Sequence, residues 1–217
     1  TVIKIDEVST FSILDSTTAG HDDMCVISLH GQSHLYVRGL VTTKNYEDIC
    51  IHGNSTTEIY DSQFNMVKHL ALRSDSGSIN LYNSTFKDHF IDPFSNIHFV
   101  GHITAYDTII IVHNCTFDNM LSLGQPFLDA SFITMSQEHQ DSGLYVFDSK
   151  FSWNHSTVAI ALQKGTVDAA LFASKFIVNY KLQNKPVDLV PSTLRIAYCL
   201  YIEQYVDNSS LYGNTML

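Results

Sequence analysis

The sequence predicts an all-β solenoid of short parallel strands. Three observations predict it: an eight-residue unit that recurs along the chain, a hydroxyl- and amide-rich composition with little charge, and almost no helix signals. The unit is found at 57–64 (TEIYDSQF), 79–86 (INLYNSTF), 110–117 (IIVHNCTF), 144–151 (LYVFDSKF) and 169–176 (AALFASKF). Each copy is anchored on a phenylalanine: Phe64, Phe86, Phe117, Phe151 and Phe176. Five residues before the anchor stands an aliphatic residue (Ile59, Leu81, Val112, Val146, Leu171). Three before it stands Asp61, Asn83, Asn114, Asp148 or Ala173, and two before it a small residue (Ser62, Ser84, Cys115, Ser149, Ser174). Unrelated strands do not coincide at so many columns.

Parity explains the unit. Side chains on a strand alternate faces, so positions seven and five before the anchor point the same way, into a core. The Asx and Ser that follow are residues whose side chains bond their own backbone and bend the chain, after which the phenylalanine again points inward. One copy cannot bury its own apolar face, whereas stacked copies bury a continuous column. The anchors of successive copies are separated by 22, 31, 34 and 25 residues, so each copy is one coil and the longer spacings carry insertions. Those insertions are expected near Asp88 to Asn96 and Leu121 to Gln140. The flanks extend the series at a spacing of 24 residues. There His34 to Leu40 places Leu35 in the aliphatic column and Leu40 in the anchor column, and Leu200 is the anchor after Phe176. Met24 to Leu29 reads as one more strand. The expectation is a single domain over 1–217 with seven or eight coils, about 35 Å long at the interstrand rise.

Asn114-Cys115-Thr116-Phe117-Asp118-Asn119, Phe151-Ser152-Trp153-Asn154 and Phe176-Ile177-Val178-Asn179 resemble the Phe-x-x-Asn repeat of polymorphic membrane protein-like surface proteins. Over roughly 34–202 the chain resembles the right-handed parallel β-helix (pectin-lyase-like) superfamily, without the Gly-Gly-Ala partner motif of the surface proteins. The resemblance implies a right-handed parallel β-helix used as a surface stalk, adhesin, spike or filament subunit.

Charge narrows the partners. Twelve Lys and Arg against 22 Asp and Glu give a net charge of −10, and charged residues are only 16% of the chain. Polyanions such as nucleic acid and anionic lipid are thereby disfavoured. No run approaches the roughly 20 apolar residues that span a bilayer as a helix. The chain starts Thr1-Val2-Ile3 with no leader pattern, and is expected to be a processed form or a segment of a longer chain. Cys25, Cys50, Cys115 and Cys199 lie far apart with no CxxC, which removes zinc-ribbon and thioredoxin readings and leaves all three two-disulfide pairings open. Sequons stand at Asn54, Asn83, Asn114, Asn154 and Asn208, where chance placement gives roughly two. They are expected to carry N-linked glycans on a secreted, extracellular or cell-surface protein.

Catalytic chemistry is hard to find. The polygalacturonase branch of the superfamily is echoed only by fragments: Asp22-Asp23, Gly101-His102-Ile103 and Arg195-Ile196-Ala197. Glycoside hydrolysis needs two carboxylates about one bond, and neighbours on a strand face opposite ways. Asp61, Asp88, Asp107, Asp118, Asp129, Asp141 and Asp148 are scattered, with no calcium loop. The pairs His30/His34 and His98/His102 are four apart on strand-like segments, a spacing that unites ligands only on a helix. No catalytic residue, metal or cofactor is expected. Tyr60, Tyr82, His113, Phe147 and Phe172 share an outward column, which fits burial under a loop or a neighbouring chain, or carbohydrate binding. The leading functional expectation is a non-enzymatic structural glycoprotein that self-associates or stacks with neighbouring β-helix chains. The alternatives are a carbohydrate-binding adhesin and a polysaccharide lyase or hydrolase.

Overall fold

The computed structural model describes residues 2–22, 25–91, 102–122, 131–137, 142–153, 158–164, 167–178, 187–189, 193–197, 200–204 and 211–216. Every regular element among them is a strand, and the strands form three sheets. The first sheet stacks Ile3–Ile5, Ile27–Leu29, Glu47–Ile51, Leu70–Ser74, Ile103–Tyr106, Ser131–Ser136, Val158–Lys164 and Val187–Leu189, in that order. The second stacks Thr10–Leu14, His34–Arg38, Thr56–Tyr60, Gly77–Tyr82, Thr108–His113, Ser142–Phe147, Val167–Phe172 and Thr193–Ala197. The third stacks Thr17–Ala19, Val41–Thr43, Gln63–Asn65, Thr85–Ile91, Thr116–Ser122, Lys150–Trp153, Lys175–Val178 and Leu200–Gln204. Consecutive strands of the chain fall in the three sheets in rotation, and each pairs in parallel with its equivalent one circuit later. That is the arrangement of a β-solenoid. A last strand, Leu211–Met216, pairs antiparallel with Leu200–Gln204 and covers that edge of the third sheet.

The repeat columns are registered across the sheets. Phe64, Phe86, Phe117, Phe151 and Phe176 pair in sequence, backbone to backbone. The rings of Phe64, Phe86, Phe117 and Phe151 are fully buried, with centroids 4.7–4.8 Å apart and planes within 6° of parallel. That spacing equals the strand separation, so identical side chains stack at the pitch of the hydrogen-bond ladder. The aliphatic column runs Ile13, Val37, Ile59, Leu81, Val112, Val146 and Leu171, all buried. One hydrophobic cluster contains residues of all three sheets, and burying each large side chain contributes about 1.5–3 kcal/mol.

Two alignments differ from the sequence expectation. Val37, not Leu35, takes the aliphatic column, and the anchor position of that coil is Thr42, paired with Phe64. Leu40 lies instead beside the serine column, its N–H donating to Ser62 Oγ at 3.1 Å. At the other end Tyr201, not Leu200, pairs with Phe176. The insertions are expected on residues that are largely undescribed, 92–101, 123–130 and 138–141; Asp88 and Leu121 themselves lie on strands.

The corners explain the polar columns. Asp15, Asp61, Asn83, Asn114, Asp148 and Ala173 have φ of 45–51°, and Gly39 has φ 66°. Each turns the chain from the second sheet to the third in the left-handed region, which Asx and Gly adopt at least cost. The next residue supplies the hydroxyl. Ser62, Ser84, Ser149 and Ser174 donate to the carbonyl two residues back at 2.7–3.0 Å. Ser84 Oγ also accepts the N–H of Ser62, Ser149 that of Cys115 and Ser174 that of Ser149, at 3.1–3.2 Å. A buried corner amide that a ladder would otherwise orphan is thereby satisfied by the coil above.

The lumen changes character at its N-terminal end. Thr18 and Thr42 stand where later coils have phenylalanine. Asn45, fully buried, donates to Thr18 Oγ1 at 2.9 Å and to Asp48 Oδ1 at 2.7 Å. Thr42 Oγ1 donates to Asp48 Oδ2 at 2.9 Å. Burial pushes the Asp48 carboxyl up to about 7, against the opposing pull of those two hydrogen bonds.

Candidate functional site

The corner between the second and third sheets places the sequon asparagines. Asn83 and Asn114 are exposed, one coil apart, each at the left-handed turn position. Asn114 Nδ2 donates to Asn83 Oδ1 at 2.9 Å, and Asn83 Nδ2 donates to Asp61 Oδ1 at 3.3 Å, so the column forms an amide ladder on the outer surface. Asn54 is exposed in the turn after Gly53. Asn154 and Asn208 lie outside the described residues, as does Cys199.

The outward aromatic column lies on the adjacent sheet. Tyr60 and Tyr82 stack at 4.7 Å with planes 8° apart, while Tyr82, His113, Phe147 and Phe172 continue at 6.1–6.4 Å and larger tilts. Phe172 is 41% exposed. The Tyr60 hydroxyl is held above its ordinary value by burial first, then by the Glu58 carboxylate and the neighbouring tyrosines. Tyr60 and Tyr82 turn their ring faces to one another, and a pyranose ring stacks on a free aromatic face.

Of the fragments that echo a polysaccharide-processing site, the described members lie on different coils. Asp22 is exposed and ion-paired with Lys68, and Asp23 and Gly101 lie outside the described residues. His102 is fully buried, its ring parallel to that of Phe132 at 5.5 Å, in the packing of the core. Arg195 lies on the strand Thr193–Ala197. Asp61 and Asp148 sit at corners, beside Arg38 at 3.3 Å and His113 at 3.6 Å. Of the histidines, His30 stacks on His52 at 4.8 Å and bonds Ser28 Oγ, and His52 Nδ1 bonds Asp75 Oδ2 at 2.7 Å. His34 lies 3.9 Å from Glu58, and His98 is outside the described residues.

The densest chemistry in the described residues is a set that the sequence did not reveal. Cys25 and Cys50 form a disulfide between adjacent coils, with Cα atoms 5.8 Å apart. Glu47, 5% exposed, aims Oε2 at both sulfurs, 3.1 Å from each. Its Oε1 accepts from His69 Nδ1 at 2.6 Å, and the His69 ring packs on Tyr46. The three potential ligand atoms of Cys25, Glu47 and Cys50 lie within 4.8 Å of one another. The first-sheet register, pairing Cys50 with Ser28, brings Cys25 alongside. Cys115 is a separate case: free and buried, it takes the serine position in the corner ladder. Burial pushes its thiol up to about 11, partly offset by the backbone bond from Ser84.

No protein-family model, curated protein or solved structure matches this chain. Among the described residues no helix is long and apolar enough to cross a membrane.

Proposed function

We propose that the chain is a non-enzymatic structural module, a right-handed parallel β-helix of eight coils of the pectin-lyase-like type. On this reading it forms part of a secreted or cell-surface stalk, spike or filament and carries N-linked glycans. The observation that carries the reading is that the repeated polar side chains are used up within the solenoid, bonding the backbone or side chains of the neighbouring coil. The serine column closes corner amides, and the Asn83–Asn114 amides close on Asp61. Asn54 is exposed in its turn and suited to a glycan. A glycan on Asn83 or Asn114 would sit on an amide nitrogen that also donates in the ladder. The Cys25–Cys50 disulfide suits an oxidising compartment.

The first coil presents an apolar edge. Phe11 belongs to an inward column, pairing with Leu35, yet it is 40% exposed, and Val2 and Val8 of the same coil are exposed too. A further β-helix coil, of this chain or of a neighbouring one, would cover this edge, and self-association would use it. Carbohydrate binding is less well supported, because the two parallel rings of the aromatic column, Tyr60 and Tyr82, each cover one face of the other.

Secretion from eukaryotic cells tests the proposal, with intact mass before and after enzymatic deglycosylation and negative-stain electron microscopy over a concentration series. Glycan mass on the sequon asparagines and end-to-end rods that lengthen with concentration are expected. Release of reducing ends or unsaturated sugars from a polysaccharide panel would overturn the non-enzymatic reading.

A further inference from the structure

We infer that Cys25, Glu47 and Cys50, in the dithiol state, form a site for a divalent cation of the zinc class. The same two coils are then clipped by a disulfide under oxidising conditions and by a metal under reducing ones. The inference is independent of the function proposed above.

Two observations carry it. The first is the convergence of two sulfurs and a carboxylate oxygen within 4.8 Å, on residues that are 6%, 0% and 5% exposed. The second is the placement of Glu47. Its Oε2 stands 3.1 Å from both sulfurs, positioned to accept from the two thiols of the reduced pair and to share a cation that displaces their protons. A cation between the sulfurs and Oε2 satisfies all three atoms. His69 Nδ1, 2.6 Å from Oε1, fixes the carboxylate from behind, as outer hydrogen bonds orient metal ligands.

The geometry and chemistry select the class. Two bonds of about 2.3 Å at a tetrahedral angle place the sulfurs about 3.8 Å apart, within reach of side chains whose Cα atoms are 5.8 Å apart. Two thiolates and one carboxylate leave the fourth position to water and favour zinc over calcium or magnesium. The exchange balances. Two electrons and two protons from a dithiol reductant break the S–S bond, the reductant becoming a disulfide, and the cation then displaces both thiol protons to solvent.

The test uses the full chain carrying Cys115→Ser and Cys199→Ser, serine being the usual residue in the Cys115 column. After phosphine reduction and anaerobic desalting, cobalt(II) is titrated as a spectroscopic stand-in for zinc. One equivalent is expected to give a sulfur-to-cobalt charge-transfer band and intense tetrahedral visible bands, both erased by zinc; the oxidised protein should give neither. Zinc should also protect Cys25 and Cys50 from alkylation, read by peptide mass. Adding Glu47→Gln should weaken cobalt binding about tenfold or more with the sulfur band kept, and adding Cys50→Ser should remove the two-thiolate spectrum. The inference is overturned if the reduced, folded protein takes up no cobalt. It is also overturned if the Cys25→Ser, Cys50→Ser form binds equally well, or if reduction abolishes the β-sheet circular dichroism and zinc does not restore it.

Discussion

Replacing Phe86 by alanine tests the column on which the fold depends. The ring is fully buried and stacked on Phe64 and Phe117, 4.8 Å from each and within 6° of parallel, with the His102 ring 5.7 Å away. Truncating a buried phenylalanine costs about 3–5 kcal/mol through lost transfer energy and the cavity left behind. Each aromatic pair adds about 0.5–1.5 kcal/mol beyond area, and two pairs are lost, which places Phe86→Ala at the upper end of that range. Phe86→Leu keeps most of the volume and loses the stacking, for about 1–2 kcal/mol. Tyr82→Ala, four residues earlier on an outward, half-buried position, serves as the parity control at about 1–2 kcal/mol, mostly its stacking on Tyr60. Equilibrium urea unfolding monitored by circular dichroism measures all three. The assigned register is wrong if Phe86→Ala costs no more than Tyr82→Ala.

Other expectations follow from particular contacts. Gly77 has φ +105°, and a Cβ there would sit 2.1 Å from the Ser55 carbonyl oxygen, so Gly77→Ala should destabilise by about 3 kcal/mol in the same assay. Ser149→Ala strips the Cys115 amide of its acceptor and should cost about 1–3 kcal/mol, measured by thermal melting beside the wild type. Thr57 has the opposite sign. It is fully buried in an otherwise apolar column, and its hydroxyl has no partner, so Thr57→Val should stabilise by about 1 kcal/mol. The Asp48 carboxyl is raised from 3.8 to about 7, so the fold prefers its protonated form. Its contribution is greatest below pH 3.8, declines as pH rises to about 7, and is flat above. Asp48→Asn should remove a loss on the order of 4 kcal/mol across that window, seen as a flatter plot of unfolding free energy against pH.

The phenylalanine column was legible because its residue is large, apolar and repeated in register, and because the corner beside it demands Asx and Ser. The reading slipped by two residues where that signal ends. Leu35 and Leu40 are five apart, mimicking an aliphatic residue and its anchor, whereas the true pair is Val37 and Thr42, with a hydroxyl where pattern reading requires an apolar residue. At the other end the 24-residue spacing points to Leu200, and the anchor is its neighbour Tyr201. The first sheet was almost invisible. Its strands have no shared anchor, and stretches such as Glu47–Ile51 are buried at every position, which erases alternation. The cysteine–glutamate cluster hangs on that sheet's register, so no spacing rule in the sequence could assemble it.

The disulfide lies near the point where the stacked core is poorest. Thr18 and Thr42 replace two rings of the phenylalanine column, forgoing about 1.5–3 kcal/mol of apolar burial each, and Asp48 adds a buried carboxyl that ionises near neutrality. In a solenoid each coil is stabilised only by its neighbours, so a deficit in the first coils is not made good by the aromatic stack further along. Linking Cys25 to Cys50, 25 residues apart, removes about 3.5 kcal/mol of loop entropy from the unfolded chain by the chain-closure relation. That is the same order as the burial forgone, and it acts on the coils that lack the rings. The cross-link and the polar lumen are therefore two halves of one compensation. Reduction without metal should open the chain from this end while the Phe64 to Phe151 stack remains paired.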